Sequence, residues 1–233
     1  ITKAVLRLFP YPTQVETAFV SLADLESSLS LLSSARSDSG GTLSSFELVP
    51  GLGVTLASRH IPGCHNPLED VHDWSVILVY SSSSEDHNVR AALERTLSSA
   101  MESGWVTDGV ISQNEEQTRQ IWAIREGLRE AQTAEGLAFT HDISVKVSLV
   151  PTLIRRAISG GEALIPGIRG YPFGHVGDGN IHFNLSQPVD MDAEAFLGLW
   201  EEVNDLVHDH VAELGGSFSA EHGIGMSKID EMQ

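Results

Sequence analysis

Cysteine occurs once in the 233 residues, at Cys64. A lone thiol excludes a disulfide within the chain and any zinc site built from cysteines. It suits a reducing compartment, and a cytoplasmic location is the expectation. Positive charge is also scarce. Lys and Arg number 14 against 32 Asp and Glu, which gives a formal net charge of −18. A polyanion of this kind repels phosphate backbones and anionic lipid, so nucleic acid and membrane surfaces are poor partners. An anionic small molecule would need local cations, either a metal or an arginine. No apolar run approaches the roughly 18 residues of a spanning helix, so no transmembrane segment is expected. The start, "ITKAVLRLFP", has no apolar core followed by a small-residue cleavage site. Neither a G-x-G-x-x-G after a strand nor a phosphate loop is present, so the chain is not expected to bind a nucleotide alone.

The hydrophobic fraction of 41% is enough for a sizeable core. "VETAFVSL", "TLSSFELV", "WSVILVYSS" and "WVTDGVIS" read as strands. "ADLESSLSLLSSARS" places Leu25, Leu29 and Leu32 on one helix face. A loop rich in Pro, Gly and His is expected from Ser58 to Asp73. "EDHNVRAALERTLSSAMES" reads as a helix stopped at Gly104, and a long helix is expected from Asn114 to about Glu135. "AFTHDISVKVSL", "GIRGYPFGHV" and "NIHFNL" follow as strands, with a short helix opened by Pro151. One helix is expected over residues 191–216. Short strands with polar alternate positions favour an α+β fold: a largely antiparallel, ferredoxin-like sheet with helices packed on one face. Two split β-α-β units would fit, although the sequence shows no internal repeat.

The stretch "GHVGDGNIHFN", Gly174 to Asn184, carries the chemistry. Asp178-Gly179 is a signal for a two-residue type I′ hairpin turn. Such a turn would set His175 directly opposite His182, with Cβ atoms roughly 4.5–5.5 Å apart. Val176 and Ile181 would then point into a core, and Asn184 would share the histidine face. Two imidazoles at that distance can share a divalent ion, and a catalytic site typically wants a third protein ligand. "SAEHGIG" offers Glu221, with His222 beside it as a candidate base. The same residues also read as a hairpin with polar residues facing solvent and a histidine in a loop. The other histidines (His60, His65, His72, His87, His141, His208 and His210) are read mostly as surface residues, His208 and His210 on the exposed side of a helix.

"GHVGDGNIHFN" together with "SAEHGIGMSK" resembles the C-terminal substrate, or cap, domain of FAD-linked oxidases and dehydrogenases of the D-2-hydroxyglutarate dehydrogenase, D-lactate dehydrogenase and glycolate oxidase D-subunit group. "FELVP", "IWAIREGLREAQ" and "HDISVKVS" fall in that family's order. The resemblance implies one cap domain over residues 1–233, a fragment lacking the N-terminal FAD-binding domain and a C-terminal tail. The strand-like start at Ile1 and the uncapped end at "SKIDEMQ" agree with a cut chain. It implies FAD, held mainly by the missing domain, and a divalent metal, usually Zn²⁺. By position, His175, His182 and Glu221 match the metal ligands, and His222 matches the catalytic base. Arg125 and Asn184 match substrate-binding residues. The implied reaction converts a 2-hydroxy acid to a 2-oxo acid with hydride passing to FAD, and the fragment is expected to be inactive alone. The implied partners are a small 2-hydroxy acid, an unknown electron acceptor and a second copy in a homodimer.

The chain departs from the pattern at three positions. Thr140 replaces a lysine that helps bind acidic substrates, Lys146 stands where a proline is common, and Arg129 replaces a small hydroxyl residue. These departures argue against 2-hydroxyglutarate itself, while Arg129, one helical turn from Arg125, is placed to supply a replacement charge. Two rival readings remain: a non-catalytic metal-binding α+β module, and a zinc-dependent hydrolase that needs no second domain.

Overall fold

A computed structural model describes residues 2–8, 10–84 and 86–221. Its strands are β1 (Gln14–Leu22), β2 (Leu43–Pro50), β3 (Trp74–Ser82), β4 (Val106–Ile111), β5 (Ala138–Ser144), β6 (Arg169–His175) and β7 (Asn180–Ser186). Its helices are α1 (Ser27–Asp38), α2 (Gly51–His60), α3 (Val89–Glu102), α4 (Glu115–Ala134), α5 (Val150–Leu164), α6 (Ala193–Leu197) and α7 (Trp200–Glu213).

The strands form one sheet in the order β4-β1-β3-β2-β6-β7-β5, and each neighbouring pair is antiparallel. The first half, β4-β1-β3-β2, has the strand order of a split β-α-β, ferredoxin-like unit. The second half repeats it. Ser217 bridges Ser144 on the free edge of β5, so the order there runs Ser217, β5, β7, β6. The halves join edge to edge through two ladder pairs of β2 and β6, Glu47 with His175 and Leu48 with Gly174. The α+β, largely antiparallel expectation holds.

Helices α1, α3, α5 and α7, with the short α6, cover one face. There Leu31, Leu93, Ile154, Phe183, Phe196 and Val207 belong to one buried core. The expectation of one covered face is incomplete. Helices α2 and α4 cover the other face through a second core that includes Phe19, Val54, Ile77, Ile124, Leu128 and Tyr171. The reason lies in the strands. β3 is buried from Ser75 to Tyr80 on consecutive positions, so it needs cover on both faces.

Local chemistry fixes the helix starts. The Asn88 side chain accepts from Ala91 N–H at α3, and Asn114 accepts from Gln117 N–H at α4. The first turn of α4 carries Glu115 and Glu116, favourable at the positive end of the helix dipole. Sequence reading missed α2, whose "GLGVTLASRH" contains glycines and β-branched residues that disfavour helix. Tertiary packing overrides that propensity: α2 and α4 approach closely where Gly127 meets Ile61, and a Cβ there would lie 2.7 Å from Ile61 Cγ1. The helix expected over 191–216 breaks at Gly198–Leu199. The break lets Phe196 stack on Phe139, with ring centroids 4.1 Å apart. No helix among the described residues is long and apolar enough to cross a membrane.

Candidate functional site

The site sits at the seam between the two half-sheets. The turn that carries it is not the two-residue hairpin read from Asp178-Gly179. Val176–Asp178 form a 3-10 turn, and Gly179 follows at φ 74°. A type I′ turn would need Asp178 at positive φ too, and no described non-glycine residue adopts that region. Gly179 alone takes it, and a Cβ there would lie 2.0 Å from the Val145 carbonyl oxygen. The register shifts accordingly. His182 lies opposite Phe173 on β6 and Asp142 on β5, while His175 lies opposite Glu47 on β2.

The two imidazoles still meet, with ring centroids 5.9 Å apart. Val176 and Ile181 are buried in the larger core, as the alternation required. Each of His175, His182 and Glu221 offers one ligand atom, and these atoms lie within 4.8 Å of one another. His175 Nε2 is 3.6 Å from Glu221 Oε1. Asp142 tethers the Glu221 loop, since its Oδ2 accepts the Glu221 N–H at 2.7 Å and its carbonyl accepts the Ala220 N–H at 3.0 Å. Asp142 Oδ1 also lies 3.9 Å from His182 Nδ1. Burial, and after it the Arg125 charge, hold the His182 imidazole below its ordinary pKa. His175 acts in the same direction, against Asp142 and Glu221. His182 is therefore neutral near pH 7, the form in which a histidine binds metal.

Behind this cluster stands Glu47, which the sequence reading assigned only to a strand. Its side chain is 5% exposed. Oε1 accepts from His175 Nδ1 at 2.6 Å, and Oε2 accepts from Arg125 Nε at 2.9 Å. The Arg125 guanidinium carbon lies 4.9 Å from the centroid of the Phe173 ring, within cation–π range. Glu47, Trp122, Arg125, Glu126, His175 and Asp178 line a cavity of about 620 Å³. A signal for Glu47 existed: a carboxylate inside an apolar strand seldom stays buried unless paired.

Other candidates sit apart. Asn184 is 5% exposed, and its Nδ2 donates to Gln132 Oε1 at 2.7 Å, in a network that continues to Ser186. Arg129 is exposed on α4 and does not line the cavity at Arg125. Thr140 is exposed and pairs across the ladder with Asn184, and Lys146 is exposed after β5. His222 lies outside the described residues. Asn180 shares the face of His182 two residues on; it is 5% exposed, and its amide has no hydrogen-bond partner among the described residues. The surface reading of His210 needs correction, since both its ring nitrogens are buried, and so do those of His141 and His208. His141 is 4% exposed and lies between the Phe183 carbonyl and Asn204 Oδ1, at 3.0 and 2.8 Å. His208 packs on His141 and Phe218 instead of standing free in solvent. These last two corrections follow from α7 lying flat on β5.

Residues 11–233 match the family described as FAD linked oxidases, C-terminal domain. The chain belongs to this family. Among curated relatives of this oxidase domain, the mitochondrial D-2-hydroxyglutarate dehydrogenase of Arabidopsis thaliana is 33% identical over 100% of the chain and 40% of its own length. The D-2-hydroxyglutarate dehydrogenase of Stutzerimonas stutzeri is 32% identical over 100% of the chain and 49% of its length. That of Danio rerio, also named mitochondrial, is 30% identical over 93% and 39%. The oxidase domain thus spans less than half the length of these relatives. Two solved structures share the fold. The oxidase domain matches p-cresol methylhydroxylase at TM-score 0.58 and 10% identity, over 89% of this chain and 45% of that one. It matches alkyldihydroxyacetonephosphate synthase at TM-score 0.55 and 13% identity, over 95% and 43%.

Proposed function

We propose that this domain binds the substrate of a flavin-dependent D-2-hydroxy acid dehydrogenase and holds a divalent ion, zinc by preference, on His175, His182 and Glu221. One observation carries the reading: these three ligand atoms converge within 4.8 Å, beside a cavity walled by Arg125. The donor set fits such an ion. Two imidazoles and a carboxylate leave open positions for a substrate, as catalytic ions require. Each histidine has a carboxylate near its Nδ1, Glu47 for His175 and Asp142 for His182, the outer support typical of metal-bound imidazoles.

The ion, when bound, supplies Lewis acidity that makes a coordinated α-hydroxyl easier to deprotonate. The flavin, when bound, supplies the acceptor for the α-hydrogen and its electron pair. The chain's own groups bind and orient. Arg125, anchored through Nε, keeps its terminal nitrogens for a carboxylate of the substrate. His222, next to Glu221 in sequence, takes the hydroxyl proton. Loss of that proton and of a hydride leaves the 2-oxo acid, so the atoms balance. FAD is held mainly by chain outside this family domain, in keeping with the lack of a dinucleotide-binding glycine loop.

The three relatives described above are named for 2-hydroxyglutarate, and another, 30% identical, is named for D-lactate. This chain places uncharged Thr140 opposite Asn184 and exposes Arg129, so the reading extends to D-2-hydroxy acids as a class, D-lactate included, and to the achiral 2-hydroxy acid glycolate. A homodimer and a cytoplasmic location belong to the same reading. The test is an anaerobic panel of D- and L-2-hydroxy acids mixed with the full-length flavoprotein. Bleaching of the flavin by a D-acid but not its L-enantiomer is expected; no bleaching by any acid would remove the substrate class.

A further inference from the structure

We infer that Glu47 is a positioning residue that sets both halves of the substrate site at once: the metal-facing nitrogen of His175 and the orientation of Arg125. The inference rests on the proposed metal site and goes beyond it to a residue outside the ligand set.

Glu47 is a buried carboxylate paired with a guanidinium. Ionised, it accepts and cannot donate. Oε1 lies 2.6 Å from His175 Nδ1, so Nδ1 carries the hydrogen in that contact and Nε2 keeps its lone pair. Nε2 is the atom that faces Glu221 Oε1, at 3.6 Å. Glu47 therefore selects the tautomer that the cluster requires. Oε2 meanwhile takes Arg125 Nε at 2.9 Å, which turns one edge of the guanidinium inward. Phe173 sits under its plane. Among the described residues no hydrogen-bond partner takes the terminal nitrogens, and Arg125 lines the cavity.

Placement supports this dual role. Glu47 lies on β2 in the first half-sheet and His175 on β6 in the second, joined as one of the two ladder pairs of the seam. Arg125 reaches the pair from α4, whose Leu128 carbonyl also accepts the Tyr171 hydroxyl of β6 at 3.1 Å. The two Glu47 oxygens go to two groups that serve different ends of the same ligand, and Ser45 Oγ adds a longer contact to Oε1 at 3.3 Å. Glutamine at position 47 has one accepting and one donating atom, so it cannot accept from both.

The experiment uses the full-length protein stripped of metal by chelation. Zn²⁺ alone is titrated calorimetrically into wild type, Glu47→Gln and Glu47→Asp, and steady-state kinetics are measured on the reloaded enzymes. Glu47→Gln is expected to weaken Zn²⁺ binding about 10–100-fold, the usual scale for losing a metal ligand's outer partner. It is also expected to raise KM by a larger factor than it lowers kcat, because Arg125 loses its anchor. Glu47→Asp keeps the charge one methylene further back, so it should restore part of both losses and guards against a Glu47→Gln chain that fails to fold. Zn²⁺ affinity and KM within twofold of wild type in a folded variant would overturn the inference. Wild type that takes up no Zn²⁺ would instead remove the metal reading itself, and the His175 half of the inference with it.

Discussion

Glu47 Oε1 and His175 Nδ1 lie 2.6 Å apart across a junction of two ladder pairs. That short junction is where one ferredoxin-like unit ends and the next begins, and the candidate ligands gather beside it. A site built on a seam depends on its ligands, on the turn that carries them and on what clamps the seam.

His182→Ala should release the bound ion while keeping the fold. The ring is partly buried, with 20% of its side chain exposed, so the cavity left behind is modest. Zn²⁺ affinity of the full-length variant should fall by more than the roughly 10–100-fold that follows loss of an outer partner, so the purified variant should carry little metal. Unchanged metal stoichiometry would refute the ligand assignment.

Gly179→Ala should destabilise the chain by more than about 1 kcal/mol, because alanine at φ 74° is strained. Its Cβ would also meet the Val145 carbonyl oxygen at 2.0 Å, so backbone must move. The turn that carries His175 would shift with it, so urea midpoint and metal affinity should fall together. A midpoint equal to wild type would contradict the turn geometry.

Arg125→Met should leave the buried Glu47 carboxylate without its guanidinium partner, with only the His175 and Ser45 contacts to Oε1 remaining. Removing one partner of a buried pair costs roughly 3–5 kcal/mol, and Arg125 at 15% side-chain exposure puts the loss toward the lower end. Adding Glu47→Leu should recover most of that stability, since an apolar pair can replace a buried ion pair. Thermal melts of the single and double variants decide it. A double variant less stable than Arg125→Met would show that the carboxylate stabilises by some other route.

Far from the ligands, Glu135 ends α4 in a knot. Its Oε1 meets Arg59 Nη1 at 2.8 Å and His60 Nε2 at 2.7 Å, and its Oε2 meets Arg169 Nη1 at 3.1 Å. The His60 hydrogen bond first, helped by those to Arg169 and Arg59, brings its pKa from 4.5 down to about 2. The folded value is depressed, so the stabilisation is present above pH 4.5 and is lost as pH falls toward 2. Melts of wild type and Glu135→Gln should differ near pH 7 and converge between those values. A gap that persists unchanged at the acid end would count against the assignment.

The fold was legible where periodicity and caps agreed. The strand read at Trp74–Ser82 and the helix read from Asn114 match β3 and α4, since an unbroken apolar run and an asparagine cap both act locally. α2 was not legible, because Gly53 serves close packing on Leu128 of α4 and Gly51 the approach of the His72 carbonyl, both long-range causes. The approach of His175 to His182 was foreseen, but as a cross-strand pair through the wrong turn, and the two are not paired. Dipeptide preference pointed to a hairpin, while the turn after His175 takes the left-handed conformation at Gly179 and His175 pairs with Glu47 on β2. Glu47 could not be placed from sequence, because its partners are 78 and 128 residues away.

The central claim is that an ion held by His175, His182 and Glu221 is needed to oxidise a D-2-hydroxy acid. The measurement is flavin absorbance in the anaerobic full-length protein, mixed with a bleaching D-acid before chelation, after chelation and after Zn²⁺ is returned. Bleaching that slows at least about 100-fold on chelation and recovers with Zn²⁺ is the predicted result, on the scale of several kcal/mol of Lewis-acid stabilisation. Bleaching at the same rate with the ion removed would contradict it.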